Sequence, residues 1–348
     1  MKLLIFGVDG MSMNFVKKHL DKFNTLRQGM EQGCFSTMIS PSKRGDKWNT
    51  SMDIWTSFYT GLSADEHGLG GKYVRDMNNT KVVMEKSKSV SDLEPEVKDK
   101  FFWNVMNKRG YKVGLFNGIS TNPAFELDGF MYADFPQLTP YFTDFWYPKN
   151  LHNCWVKNKM EGGQPKKIQE LGLNINKVTP DNVKQVYDTI GPNYFSEGVS
   201  FTDAELTGHF ETITNMIKEV PVDVLFYYNL RLDLIQHFCF HDPEEKLIIQ
   251  AYQVFESMLD KMIKQFNPDN ILVVSDHGLE RSEKGRVGAV PVPGVKDTNI
   301  CLSINKCVLS GKHSEEATFI MWGKDVKDKG EIKTDIIGAY NKILEVCK

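Results

Sequence analysis

The run Leu3-Leu4-Ile5-Phe6-Gly7-Val8 stops at Asp9-Gly10, and helix-like sequence from Phe15 to Leu20 follows it. A continuous apolar run bounded by a turn signal reads as a strand buried on both faces, because a strand wetted on one face alternates instead. The same strand, turn and helix grammar returns three times: at Tyr111 to Phe116 after an amphipathic stretch from Phe101 to Lys108, at Val222 to Tyr228 after Leu206 to Lys218, and at Ile271 to Val274 after Glu244 to Phe266. Apolar strands alternating with helices specify an α/β fold, with a mostly parallel central sheet and helices on both faces. In such sheets ligands sit beyond the carboxyl ends of the strands.

With 348 residues the chain is long enough for about two domains of ordinary size, or for one large sheet core with an insertion. The stretch from 137 to 199 breaks the pattern, being rich in aromatics, Asn, Lys and Pro with poor periodicity. We therefore expect a core formed by 1–136 and 200–348, and an inserted cap or loop region over 137–199. A 41% hydrophobic and 25% charged composition excludes a disordered chain. A formal net charge of −3 gives no global reason to hold nucleic acid or an anionic membrane, so a phosphate-bearing ligand needs a local site. The chain shows no run of 18 apolar residues and no signal-peptide-like start, and its six cysteines form no C-x-x-C pair. Reduced thiols and a cytoplasmic location are expected, and the Asn49 and Asn78 sequons carry no weight there.

Five segments place metal-competent or nucleophilic side chains at strand ends or helix starts. Asp9 ends the first strand, where a plain turn aspartate before glycine would look the same. Ser51 opens a segment that Gly61 closes, suiting the start and the C-terminal cap of a short helix. A hydroxyl there lies near free N–H groups that favour an anion, although a bland N-cap serine has the same signature. Asp233 and His237 are spaced i, i+4, which puts both on one face of a helical turn, close enough to share a metal. Asp276 and His277 follow a strand directly, and neither side chain is cheap to bury. His313 precedes the strand-like Thr318 to Gly323.

This order of residues resembles the alkaline phosphatase superfamily, and specifically its type I phosphodiesterase/nucleotide pyrophosphatase branch. Trp55-Thr56-Ser57-Phe58-Tyr59-Thr60-Gly61 with His67-Gly68-Leu69 is similar to that branch's W-T-S-x-x-T-G and H-G-I signature, whose nucleophile precedes the glycine by ten residues and so falls on Ser51. Gly110 to Asn117 and Asp128 to Met131 are similar to a stretch of its predicted phosphohydrolases. The resemblance covers about residues 1–135 and 220–323.

It implies two divalent ions, with Asp233, His237 and His313 on one, and Asp9, Asp276, His277 and the Ser51 oxygen on the other. Carboxylate and imidazole donors suit zinc best, with manganese or iron as alternatives. It also implies a phosphoseryl intermediate on Ser51 that water then hydrolyses. Three departures stand out. Many members use threonine as the nucleophile, and here Thr50 is the alternative to Ser51. The place of a phosphate-binding asparagine is held by Lys72, which either neutralises developing charge or is a solvated side chain. Met52 replaces a proline that often follows the nucleophile.

The expected activity is hydrolysis of a small phosphodiester or nucleotide pyrophosphate, with the aromatic middle segment able to stack a base. No stable nucleic-acid complex and no membrane partner are expected. A phosphomonoesterase or phosphomutase on the same scaffold is the alternative, distinguished by extra donors such as Lys72, Lys43 or Arg44 around the phosphate. A metal-dependent binding protein without turnover would need a broken ligand set, and none of these residues is missing.

Overall fold

The computed structural model describes residues 1–41, 43–44, 47–48, 51–69, 73–74, 83–84, 89–133, 144–156, 183–240, 243–289 and 306–348. Thr50, Lys72, both sequons and most of the 137–199 segment lie outside the described residues, as do the side chains of Lys43 and Arg44.

Strand β1 (Leu3–Val8) leads into α1 (Met13–Lys18), α2 (Asn24–Gln32) and β2 (Cys34–Ile39). Two-residue strands β3 (Lys43–Arg44) and β4 (Lys47–Trp48) pair with each other before α3 (Ser51–Thr60) and α4 (Ala64–His67). A second small pair, β5 (Tyr73–Val74) and β6 (Val83–Met84), precedes α5 (Pro95–Lys98) and α6 (Phe102–Lys108). Then come β7 (Val113–Gly118), β8 (Gly129–Ala133), β9 (Trp146–Tyr147), α7 (Val183–Glu219), β10 (Val224–Asn229), α8 (Arg231–Cys239), α9 (Lys246–Phe266) and β11 (Asn270–Val274). A hairpin of β12 (Gly278–Ala289) and β13 (Lys306–Ser314) leads into β14 (Glu316–Gly323), β15 (Gly330–Glu331) and α10 (Ile336–Val346).

The central sheet has nine strands in the order β15-β2-β14-β11-β1-β10-β7-β8-β9. Strands β11, β1, β10, β7 and β8 run parallel, so the fold is the expected α/β sheet. The antiparallel members are β14, between β11 and β2, and β9 on the far edge. β1 is the middle strand, flanked by β10 and β11, and these three carry Asp9, Asn229 and the Asp276-His277 turn at their carboxyl ends.

The continuous apolar runs divide by the period-two rule of a strand. Leu4, Phe6 and Val8 of β1 join Leu225 and Tyr227 on one face, against α2, α7 and α9. Leu3 and Ile5 join Val224, Phe226 and Tyr228 on the other, against α3, α6 and α10. Trp55, Phe58, Tyr59 and Phe102 surround Phe226 with ring centroids 5.6–6.2 Å away, which seats α3 on the sheet. Residues 144–156 and Val199 also bury side chains in the first cluster, and α7 runs unbroken through the 199/200 position. Cys34, Cys154, Cys239 and Cys347 are buried free thiols. Burial pushes the thiols of Cys34 and Cys347 up to about 11, away from the reactive thiolate. Among the described residues no helix is long and apolar enough to cross a membrane.

Phe226→Ala removes the ring on which α3 rests. We expect a loss of about 3–5 kcal/mol in denaturant unfolding, from lost transfer and cavity terms together, with an unchanged m-value.

Candidate metal centre

Seven of the residues singled out in the sequence converge beyond the carboxyl ends of β1, β10 and β11. Asp9 leaves β1 with its backbone N–H donating to the Asn229 carbonyl at 3.0 Å. Gly10 then turns with φ of +73°, and a Cβ there would lie 3.0 Å from the Cα of Asp233 and 2.6 Å from Leu279. The bare glycine lets α8 and the β12 entry close onto the end of β1. Asp276 and His277 follow β11 after Ser275, and Ser51 is the first residue of α3. His313 arrives by a longer route, on the strand that returns the hairpin to the sheet, paired in register with Leu279.

His277 is the hub. Its Nε2 lies 3.3 Å from Asp9 Oδ1, 3.3 Å from Asp276 Oδ2, 3.4 Å from Ser51 Oγ and 4.0 Å from Asp233 Oδ1. A second set adjoins it: Asp233 Oδ1 is 3.4 Å from His237 Nε2 and 3.3 Å from His313 Nε2, and those two nitrogens are 3.0 Å apart. Four donors about 2.0–2.1 Å from a tetrahedral zinc ion lie roughly 3.3–3.4 Å from one another. The 3.3–3.4 Å separations match those edges and the 3.0 Å between His237 and His313 is shorter, so the donor sets are of a size that suits a divalent ion.

The remaining atoms of these side chains are anchored so that one donor from each faces inward. His277 Nδ1 meets the Gly278 carbonyl at 3.0 Å and His237 Nδ1 meets the Gly311 carbonyl at 3.3 Å. A carbonyl only accepts, so Nδ1 carries a proton in either charge state, and in the neutral imidazole Nε2 is the atom with the lone pair. Gly311 permits this approach, since a Cβ there would sit 2.4 Å from the Gln236 carbonyl oxygen. Asp9 Oδ2 accepts from the Tyr228 hydroxyl at 2.5 Å and from Trp55 Nε1 at 3.4 Å, leaving Oδ1 to face His277. Asp276 Oδ1 accepts from the Gly10 N–H at 3.3 Å. Its Oδ2, like Oδ1 of Asp233, is buried without a hydrogen-bond donor. Two buried carboxylate oxygens set beside imidazole nitrogens are a donor arrangement that suits a cation.

The charges agree. Among the described residues the only cationic groups within 4 Å of these three carboxylates are imidazoles. Burial and the neighbouring Asp9 carboxylate push Asp276 up to about 7, against the pull of His277 and the Ser51 hydroxyl. Burial alone would lower His277, but the Asp276, Asp9 and Asp233 carboxylates raise it to about 10. Burial opposes ionisation of Asp233 too, yet His237 and His313 hold it well below the usual carboxylate range.

Sequence reasoning missed Tyr228, which anchors Asp9, and Gln236, which lies fully buried beside His237. The signal for Tyr228 was available: its position in β10 alternates with Val224 and Phe226, and a phenol in a buried strand needs a partner for its hydroxyl. His67, named only as part of a motif, is buried and meets Ser57 Oγ and the Asp53 carbonyl, each at 3.1 Å, through Nε2, while Nδ1 accepts from the Leu69 N–H. It therefore pins the chain leaving α4 against α3.

An α/β sheet thus carries two adjoining carboxylate and imidazole donor sets and a serine beyond its strand ends. The family model for type I phosphodiesterase/nucleotide pyrophosphatase matches residues 3–291, and the chain belongs to that family of phosphoester hydrolases. A search of curated protein sequences finds no match. Among solved structures the chain is similar in fold to human ectonucleotide pyrophosphatase/phosphodiesterase 5, with 13% identity, a TM-score of 0.51, and coverage of 100% of this chain and 95% of that one. It is likewise similar to phosphonoacetate hydrolase from Sinorhizobium meliloti in complex with phosphonoformate, with 12% identity, a TM-score of 0.53 and the same coverage.

The protonation states give a pH test. His277, raised from 6.5 to about 10, contributes stability that is fully present below pH 6.5 and lost as pH rises toward 10. Asp276, raised from 3.8 to about 7, holds a proton in the folded chain that the unfolded chain has released, so its ionisation also removes stability up to about pH 7. Metal-free protein should therefore lose stability between about pH 6 and 9, while the rise in Tm on adding zinc or manganese should grow, because the ion replaces those protons. Thermal unfolding with and without metal across that range checks it.

Proposed function

We propose that this chain is a two-metal hydrolase of phosphodiesters or nucleotide pyrophosphates that uses Ser51 as its nucleophile. The observation that carries the reading is that Ser51 Oγ, Asp9 Oδ1 and Asp276 Oδ2 all lie 3.3–3.4 Å from the single nitrogen His277 Nε2. A hydroxyl gathered with these carboxylates around one imidazole nitrogen supports a reactive role for Ser51 over that of a plain N-cap.

Asp9, Asp276, His277 and the Ser51 oxygen would hold one ion, and Asp233, His237 and His313 the other. Zinc suits the donors best, with manganese or iron as alternatives. When bound, the ions supply the positive charge that lowers the Ser51 hydroxyl's pKa and offsets charge building on the transferring phosphoryl group. Ser51 Oγ attacks phosphorus, its proton is released, and the ester oxygen leaves. The phosphoseryl ester is then hydrolysed by water, returning Ser51. Ser51 also opens a ten-residue helix, whose first-turn N–H groups and dipole favour the phosphoryl anion. Tyr228 and Trp55 keep Asp9 from swinging its second oxygen inward, and His67 holds the chain after α4 in place.

A small nucleotide diester is the substrate class we favour. Among the described residues no Lys or Arg lies within 4 Å of the donor carboxylates, while Lys43, Arg44 and Lys72, named above as possible extra donors, are outside that comparison. A monoester dianion would call for such donors. The murine homologue of the human fold relative has been captured, as an inactive variant, in complex with AMP.

Two experiments test the reading. Ser51→Ala should abolish turnover while the protein still binds metal and unfolds at a similar temperature; near-normal kcat would make Ser51 a cap and send the search to Thr50. A panel of nitrophenyl phosphate, a nitrophenyl nucleotide diester, a nucleotide pyrophosphate and phosphonoacetate, run with about two ions per chain by elemental analysis, should rank the diester or pyrophosphate first. A monoester preference of about tenfold in kcat/KM, roughly 1.4 kcal/mol in transition-state binding, would favour the phosphomonoesterase instead.

A further inference from the structure

The two donor sets ride on different parts of the chain. The inner set belongs to the ends of β1 and β11 and to the start of α3, whereas Asp233 and His237 belong to α8 and His313 to β13. Strand pairing fixes Asp9 against Asp276, because β1 and β11 are neighbours. No strand pairing fixes α8 against either.

Gln236 spans that gap. It is fully buried, its Nε2 donates to the Gly10 carbonyl at 2.8 Å and to the Leu232 carbonyl at 3.2 Å, and its Oε1 accepts from the Tyr252 hydroxyl at 3.1 Å. The Tyr252 oxygen accepts in turn from the Ser12 N–H at 2.9 Å. The links run from Gly10 through Gln236 and Tyr252 back to Ser12, so α8 and α9 are both tied to the two sides of the turn after Asp9. Gly10 is held from the other direction as well, its N–H on Asp276. A buried amide with no charge to serve is costly unless each polar atom is paired, and an apolar side chain of the same volume would pack here beside Leu232. The amide's directional bonds, and not its burial, are what this position uses.

We propose that Gln236 is a positioning residue that sets the spacing between the two donor sets, and with it the affinity for the second ion. The proposal rests on the two-metal reading above. Gln236 supplies no ligand; it acts by holding the α8 turn that carries Asp233 and His237 at one distance from the Gly10 peptide.

Gln236→Met keeps the volume and removes all three side-chain bonds. Manganese titrated into metal-free full-length protein, followed by electron paramagnetic resonance, should give wild-type protein two ions with a spin-coupled spectrum. The variant should hold its first ion within about threefold of wild type, bind the second at least tenfold more weakly and lose the coupled signal, the range expected for outer partners of metal ligands. Tyr252→Phe, which leaves the Gln236 to Gly10 bond in place, should shift the second affinity in the same direction by less, and it carries the test if Gln236→Met does not fold. An unchanged second affinity with the coupled signal intact, or an equal loss at both sites, overturns the proposal. A wild-type chain that binds a single ion overturns the two-metal reading instead.

Discussion

The organising constraint is a concentration of buried negative charge around one imidazole nitrogen. Asp9 and Asp276 each direct an oxygen to 3.3 Å from His277 Nε2, and Asp233 directs one to 4.0 Å. Two unit charges at about 4 Å interact by roughly 4 kcal/mol at an effective dielectric of 20, so three carboxylates gathered this closely repel one another strongly unless cations intervene. A proton on His277 is what the chain itself supplies. The rest of the architecture keeps these groups together against that repulsion: β1 between β10 and β11, a left-handed glycine at position 10, and the Tyr228 hydroxyl on the second oxygen of Asp9.

Much of this was legible because the chemistry sits where the apolar runs stop. Leu3–Val8, Val224–Asn229 and Asn270–Val274 are strands in the structure, and a ligand-type residue follows the first at once (Asp9) and the last after one serine (Asp276). The i, i+4 spacing of Asp233 and His237 was readable for the same local reason, since a single helical turn fixes it. Local patterns did not show that β14 runs antiparallel between β11 and β2, because that depends on pairing across residues far apart in the chain. The same reversal delivers His313: the hairpin leaves at Gly278, directly after His277, and returns with Ser314 paired to Gly278. Sequence order alone leaves His313 36 positions from His277, while the hairpin stacks the two rings with centroids 3.9 Å apart. Tyr228, Gln236 and Tyr252 were missed because a buried polar residue inside an apolar pattern is indistinguishable from core until its partner is known.

The two donor sets differ in how they are built, and that difference bears on access. The side chains of Asp9, Asp276 and His277 are 5%, 0% and 4% exposed, walled by Trp55 and Tyr228, whereas the His313 side chain is 49% exposed and Ser51 only partly buried. Under the proposed function a phosphoryl group therefore approaches from the His313 and Ser51 side, since the sheet and the α3 platform close the other. The inner set is assembled as soon as β1 and β11 pair and α3 docks. The outer set needs three separate tertiary contacts, of α8 with the turn after Asp9, of β13 with β12, and of Gly311 with the Gln236 carbonyl. The deep half of the donor arrangement thus comes from strand pairing and the open half from packed surface elements. Under the proposed function, catalysis by positioned charge depends most on holding the attacking oxygen in place, and Ser51 is held by the docking of α3 on the sheet.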